Sequence, residues 1–191
     1  MHSEKLGVDE VIAALEAGFS GGLMKYIIAY SSATGNTEFL AREIRAALPA
    51  EDCVKCAAVR NVTDHDIAAA DRVFVGFWTD KGTGQESVAD FLHRLAGKEV
   101  FLFGTAGFGQ EQSYFDQILD RVQQAMAPSA KLIGRFMCQG KMPATVRSRY
   151  VSMAKDPAMA DRMQMMIANF DQAASHPNAT DCANLRAALQ G

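Results

Sequence analysis

Cysteine is scarce in this sequence, with four residues in 191, and there is a single tryptophan. The cysteines, at 53, 56, 138 and 182, are too few and too scattered for a disulfide framework, so a reducing compartment and free thiols are expected. No run of 18 or more apolar residues is present, which excludes an ordinary transmembrane helix. The first 23 residues also lack the basic start and continuous apolar stretch of a secretory signal, because Glu4, Asp9, Glu10 and Glu16 interrupt them. A soluble, cytoplasmic protein is expected.

Net charge is similarly small. The formal value is −3, and residues 1–23 account for all of it with four acids and Lys5, so residues 24–191 sum to about zero. That balance gives no global attraction for nucleic acid, and neither nucleic acid nor membrane is expected as a partner. His2, His65, His93 and His176 lie in unrelated segments without metal-ligand or triad spacing. Cys53-x-x-Cys56 falls in a predicted strand, where residues i and i+3 point to opposite faces, and no second pair completes a zinc site. No metal is expected.

At 49% hydrophobic and 21% charged, the chain has a globular balance, and its length suits one domain that buries roughly two thirds of its unfolded surface. Residues 8–17 read as a short helix, which Ser20-Gly-Gly22 breaks before Met24. Two glycine codons shortly before a methionine can spell a ribosome-binding sequence. Residues 1–23 are therefore read as an N-terminal extension that is either native or a start assigned upstream of the true one, which N-terminal sequencing separates.

From Met24 onward short apolar runs alternate with amphipathic stretches. Strands are predicted at 25–30, 53–59, 72–78, 99–104 and 131–138. Helices are predicted at 36–48, 85–96 and 112–126, with a weak, polar one at 61–71. Beyond 141, helices near 144–155, 158–174 and 180–190 form a helical tail. This pattern predicts an α/β domain over 24–191, doubly wound, with a five-stranded parallel sheet and helices on both faces.

In such sheets ligands bind beyond the carboxyl ends of the strands. The first strand feeds Ser31-Ser-Ala-Thr-Gly-Asn-Thr37, which opens a helix whose unpaired N–H groups and positive dipole end suit an anion. Ser32, Thr34 and Thr37 offer hydroxyls, Asn36 an amide, and Gly35 allows close approach. The loop has no lysine, which argues against a P-loop and for a phosphate that is held rather than transferred. An ordinary helix-capping cluster is the alternative.

Residues 30–38, Tyr-Ser-Ser-Ala-Thr-Gly-Asn-Thr-Glu, resemble the FMN phosphate loop of flavodoxins, whose Ser/Thr-x-Thr-Gly-x-Thr core falls on Ser32, Thr34, Gly35 and Thr37. The resemblance spans residues 24 to about 138 and implies a flavodoxin-like fold with strand order 2-1-3-4-5. It also implies FMN as cofactor, with Ser31, Ser32, Ala33, Thr34, Gly35, Asn36 and Thr37 at the phosphate. By the same resemblance Trp78 stacks on the flavin ring, and a peptide within Thr79, Asp80, Lys81 and Gly82 turns toward flavin N5. Thr105, Ala106, Gly107 and Phe108 approach the pyrimidine edge, where N–H groups pair with O2 and N3. Phe108 covers the second ring face, with Tyr114 as the other candidate.

The sequence departs from familiar flavodoxins in the position of its tryptophan, in Lys81, and in having Phe108 where a tyrosine usually stacks. Five of the ten methionines fall between 153 and 166, and Met159, Met163, Met166, Ile167 and Phe170 repeat at helical spacing. They suit a packed helix or an adaptable docking face. Cys138-Gln-Gly-Lys-Met-Pro143 and Ser175-His-Pro-Asn178 resemble a flavodoxin subgroup with a helical tail, members of which accompany bile-pigment reductases. The expected function is single-electron transfer between a reductase donor and an acceptor enzyme. An FMN-dependent oxidoreductase of the quinone reductase or protoporphyrinogen oxidase type, and a flavin-free interaction module, are the alternatives.

Overall fold

The computed structural model describes residues 24–109 and 111–190. The helix expected at 8–17 and the reading of residues 1–23 lie outside the described residues. Five strands form one parallel sheet: β1 Tyr26–Tyr30, β2 Cys53–Ala58, β3 Arg72–Trp78, β4 Glu99–Ala106 and β5 Lys131–Gln139. Their order is β2-β1-β3-β4-β5, as the resemblance implied. The connecting helices are α1 Asn36–Ala47, α2 Asp64–Ala68, α3 Glu86–His93 and α4 Gln112–Gln123. The tail adds α5 Ala144–Met153, α6 Ala160–Ala173 and α7 Ala179–Ala188.

Alternation along the strands sends successive side chains to two separate cores. Ile27, Ala29, Val73, Val75 and Leu102 pack with Phe91 and Leu92 of α3 and with Ile118 and Leu119 of α4. Tyr26, Ile28, Phe74, Phe101 and Phe103 pack on the other face with Leu40 and Ile44 of α1 and Leu185 of α7. The last tail helix is thus an integral layer, held at its start by an Asn178–Asp181 capping box. By contrast α5 buries none of its residues.

Several element bounds differ from expectation. The helix expected at 61–71 is only Asp64–Ala68, because the Thr63–Asp66 capping box fixes its start and a 3-10 turn at Val59–Asn61 takes up the preceding chain. β4 runs two residues beyond the predicted 104, and β5 follows it to Gln139. This extension alters the third loop of the site.

Candidate functional site

The loop after β1 is fixed where Ser31 N donates to the Gly76 carbonyl at 2.8 Å. Gly35 precedes α1 with φ of +85°, a left-handed conformation that a side chain would strain, although no atom lies within 4 Å of a Cβ there. The helical ladder begins with Phe39 N donating to Gly35 O, and Glu38 N donates to Ser32 Oγ at 3.3 Å. Among the described residues the N–H groups of Asn36 and Thr37 have no backbone acceptor, as at the open start of a helix. Asn36, 6% exposed, donates through Nδ2 to Thr34 Oγ1 at 3.0 Å and to the Lys141 carbonyl at 2.9 Å. Its Oδ1 is buried without a partner.

Thr37 corrects the expectation placed on its hydroxyl. It is fully buried, donates from Oγ1 to the Phe77 carbonyl at 3.2 Å and lies 3.1 Å from Thr105 Oγ1. The hydroxyl is engaged within the protein, where it ties the first loop to the two neighbouring strands. Ser31 and Ser32 line a different hollow at the end of β2, beside Ala57, Ala58 and Arg60. Ala33, Thr34 and Asn36 are the members of this loop that line the main cleft.

Trp78 closes β3 opposite Thr105, half-buried, and its carbonyl accepts from Gln85 Nε2. Asp80 and Thr83 exchange backbone hydrogen bonds of 2.9 and 3.0 Å around Lys81 (φ 48°) and Gly82 (φ 80°). Positive φ at both central residues is the signature of a type I′ turn. Arg121 of α4 donates to the Gly82 carbonyl at 2.9 Å, and the Asp80 carbonyl is engaged in the turn. Among the described residues neither the Lys81 carbonyl nor the Gly82 N–H is hydrogen-bonded, whereas every other peptide from Thr79 to Thr83 is held at one end or both, so the Lys81–Gly82 peptide is the one left to turn. Thr79 Oγ1 is also buried without a partner.

In the third loop β4 runs further than expected. Thr105 and Ala106 are strand residues opposite Cys138 and Gln139, and their carbonyls accept from Thr79 N at 2.8 Å and Gly140 N at 2.9 Å. Gly107 and Phe108 are consequently the first residues of this segment outside the sheet. Phe108 is 47% exposed and meets Tyr114 edge to face at 6.0 Å.

These loops enclose one cleft of about 700 Å³, within the range of cofactor sites. Twelve of the sixteen residues singled out from the sequence line it: Ala33, Thr34, Asn36, Trp78, Thr79, Asp80, Lys81, Gly82, Thr105, Ala106, Gly107 and Phe108. Sequence reasoning missed the wall supplied by the tail, which brings Lys141, Met142, Val146, Arg149, Tyr150 and Met166 to the same cleft. The cation lacking in the first loop is thus supplied from the connection after β5. Lys81, Lys141 and Arg149 line the cleft together with a single acidic residue, Asp80, and none of the three joins an ion pair among the described residues. The cleft therefore suits an anion attached to a flat aromatic group.

Among the described residues no group of three or more His, Cys, Asp or Glu is placed to hold a metal ion, and all four cysteines are free. Burial pushes the Cys138 thiol far up, with Asp181 adding to the effect, so it is held protonated. No helix among the described residues is long and apolar enough to cross a membrane.

A family model described as a flavodoxin domain matches residues 27–190. The flavodoxin-like domain-containing protein BilS of Clostridium symbiosum (strain WAL-14163) is 38% identical over 174 residues, covering 84% of this chain and 91% of that protein. BilS of Clostridioides difficile (strain CD3) is 30% identical over 157 residues, covering 81% and 88%. Among solved structures, the two-electron reduced flavodoxin of Megasphaera elsdenii is 29% identical, with a TM-score of 0.47 over 63% of this chain and 89% of that one. With the phosphate-type loop, the strand order and a family match over most of its length, the chain belongs to the flavodoxin family, whose sites are of the flavin-binding, redox type.

Proposed function

We propose that the chain binds FMN non-covalently and passes single electrons between a reductase donor and an acceptor enzyme. The observation that carries this reading is the convergence of three strand-end loops on one cleft, with the start of α1 and four aromatic side chains, Trp78, Phe108, Tyr114 and Tyr150, among its walls. Asn36 Oδ1 and Thr79 Oγ1, buried acceptors without partners in residues lining that cleft, fit a polyhydroxylated ligand that donates to them.

In this reading the unpaired N–H groups at the start of α1 hold the phosphate, and Lys141 balances its charge. Trp78 and Phe108 shield the ring faces from water. The free Lys81 carbonyl accepts from flavin N5 when N5 is protonated. The cofactor supplies the redox chemistry, while the chain sets its position and its exposure. With little net charge, recognition of protein partners rests on local patches, and the proposed setting is the cytoplasm without membrane or nucleic acid.

The test is the visible spectrum after incubation with excess FMN and desalting. Retained flavin bands with quenched fluorescence are expected. A colourless protein overturns the reading and leaves the flavin-free interaction module.

One observation favours a second reading, an FMN-dependent oxidoreductase. The tail walls the cleft with Val146, Arg149, Tyr150 and Met166, which would shape a substrate pocket beside the ring. Direct reduction of the bound flavin by NAD(P)H, with no partner protein present, would favour the enzyme over the carrier.

A further inference from the structure

Asn169 lies in α6 amid methionines and alanines, yet it is only 7% exposed. A buried amide there has to be hydrogen-bonded, and both of its ends are. Its Oδ1 accepts from Gln139 Nε2 at 3.1 Å, at the end of β5, and its Nδ2 donates to the Gly107 carbonyl at 2.9 Å. The assignment of the two ends is fixed by chemistry, since a backbone carbonyl can only accept.

That second bond determines more than it touches. In a trans peptide the carbonyl and the following N–H point in opposite directions within one plane. Gly107 and Phe108 line the flavin cleft, whereas Asn169 does not line it and belongs to the hollow behind Phe108. Holding the Gly107 carbonyl toward Asn169 therefore turns the Phe108 N–H toward the cleft. Among the described residues that N–H has no acceptor.

We propose that Asn169 of the C-terminal tail is a positioning residue of the flavin site, locking the Gly107–Phe108 peptide so that the Phe108 N–H donates to an acceptor atom on the flavin ring. The proposal rests on the flavin reading above. It makes the tail part of the cofactor site through the donor bond to Gly107, which is separate from the bond that Asn169 Oδ1 accepts from Gln139. Met142 adds a steric stop on the same peptide, since a Cβ on Gly107 would lie 2.5 Å from its Cγ.

The test compares wild type, Asn169→Asp and Gln139→Met by fluorescence-quenching titration with FMN and with riboflavin, and by the midpoint potential of the bound flavin. Asn169→Asp still accepts from Gln139 but has no donor for Gly107. FMN and riboflavin should weaken alike, by about tenfold, because the lost contact is to the ring and not to the phosphate. The potential should fall, because a donor to the ring favours the more electron-rich reduced form. A tenfold larger loss in that form reads as about 30 mV in a two-electron couple.

Gln139→Met leaves the Gly107 bond in place and should change affinity less than about twofold. A second measurement needs no variant: exchange of the Phe108 amide in wild type should slow at least about tenfold on FMN binding. Unchanged exchange overturns the proposal, as do an unchanged potential in Asn169→Asp, a loss confined to FMN, or an equal loss in Gln139→Met. If wild type takes up neither flavin, the flavin reading itself fails. If wild type binds and these differences are missing, only the role of Asn169 fails.

Discussion

Asn36 and Lys141, 105 positions apart, are joined by a 2.9 Å hydrogen bond from the Asn36 amide to the Lys141 carbonyl. The Lys141 N–H in turn donates to the His176 carbonyl at 2.9 Å, so the backbone carrying this lysine is held from both sides. Contact this close requires Gly140, where a Cβ would lie 2.6 Å from Asn36 Nδ2. The start of α1 is thereby fastened to the connection that brings in a cation.

Lys141→Gln should weaken FMN binding by about two- to fivefold, since an exposed charge contributes roughly 0.5–1 kcal/mol. Riboflavin, which has no phosphate, should bind unchanged, and the difference should shrink at high salt. Titrations with both flavins at two ionic strengths check it. Equal weakening of the two would place Lys141 away from the phosphate.

Thr37→Val keeps the shape of a fully buried side chain but removes the hydroxyl that donates to Phe77 O. A strand-end carbonyl loses that donor, at a cost of roughly 1–3 kcal/mol. The expected outcome is a lower urea midpoint, with the preference for FMN over riboflavin retained. A variant that kept its stability and lost only FMN affinity would return the hydroxyl to the phosphate.

How much of this was legible in the sequence follows from the range of the signals. Apolar runs and helical spacing act locally, so the five strands and the three longer connecting helices could be read directly. The loops followed from where those strands end. The tail's share could not be read that way, because Lys141, Arg149 and Asn169 reach the site through packing between segments distant in sequence. An asparagine within the methionine-rich helix was the one available signal, a polar residue on a face that buries Met163 and Phe170. Ser31 and Ser32 follow directly from the end of β1, and their turn toward β2 could not be foreseen without strand positions.

Asp66 predicts a specific acid dependence. Its carboxylate accepts from Lys55 Nζ at 2.7 Å and from Thr63 N and Oγ1, both at 2.8 Å, and these bonds hold its pKa well below the usual carboxylate range. The charged form is favoured by the fold, so its contribution is fully present above the unfolded value near pH ~4 and is lost as pH falls through the folded value. Wild type should exceed Asp66→Asn in stability at neutral pH, and the gap should close on acidification below about pH 4. Urea melts from neutral to acidic pH read this, and a gap independent of pH would deny the carboxylate its role.

Lys81 occupies the first central position of the type I′ turn with φ of 48°, a conformation that costs a side-chain-bearing residue roughly 1–2 kcal/mol. Glycine avoids that cost but loses more backbone freedom on folding, by roughly 0.5–1 kcal/mol. The balance favours Lys81→Gly by about 0.5–1 kcal/mol, or roughly 2 °C in the Tm of the flavin-free protein. Lys81→Pro should act oppositely, since its ring fixes φ near −65° and forces the turn apart. If both variants melted alike, the turn would not be held at positive φ, and the Lys81–Gly82 peptide would lose its claim as the one poised to meet the flavin.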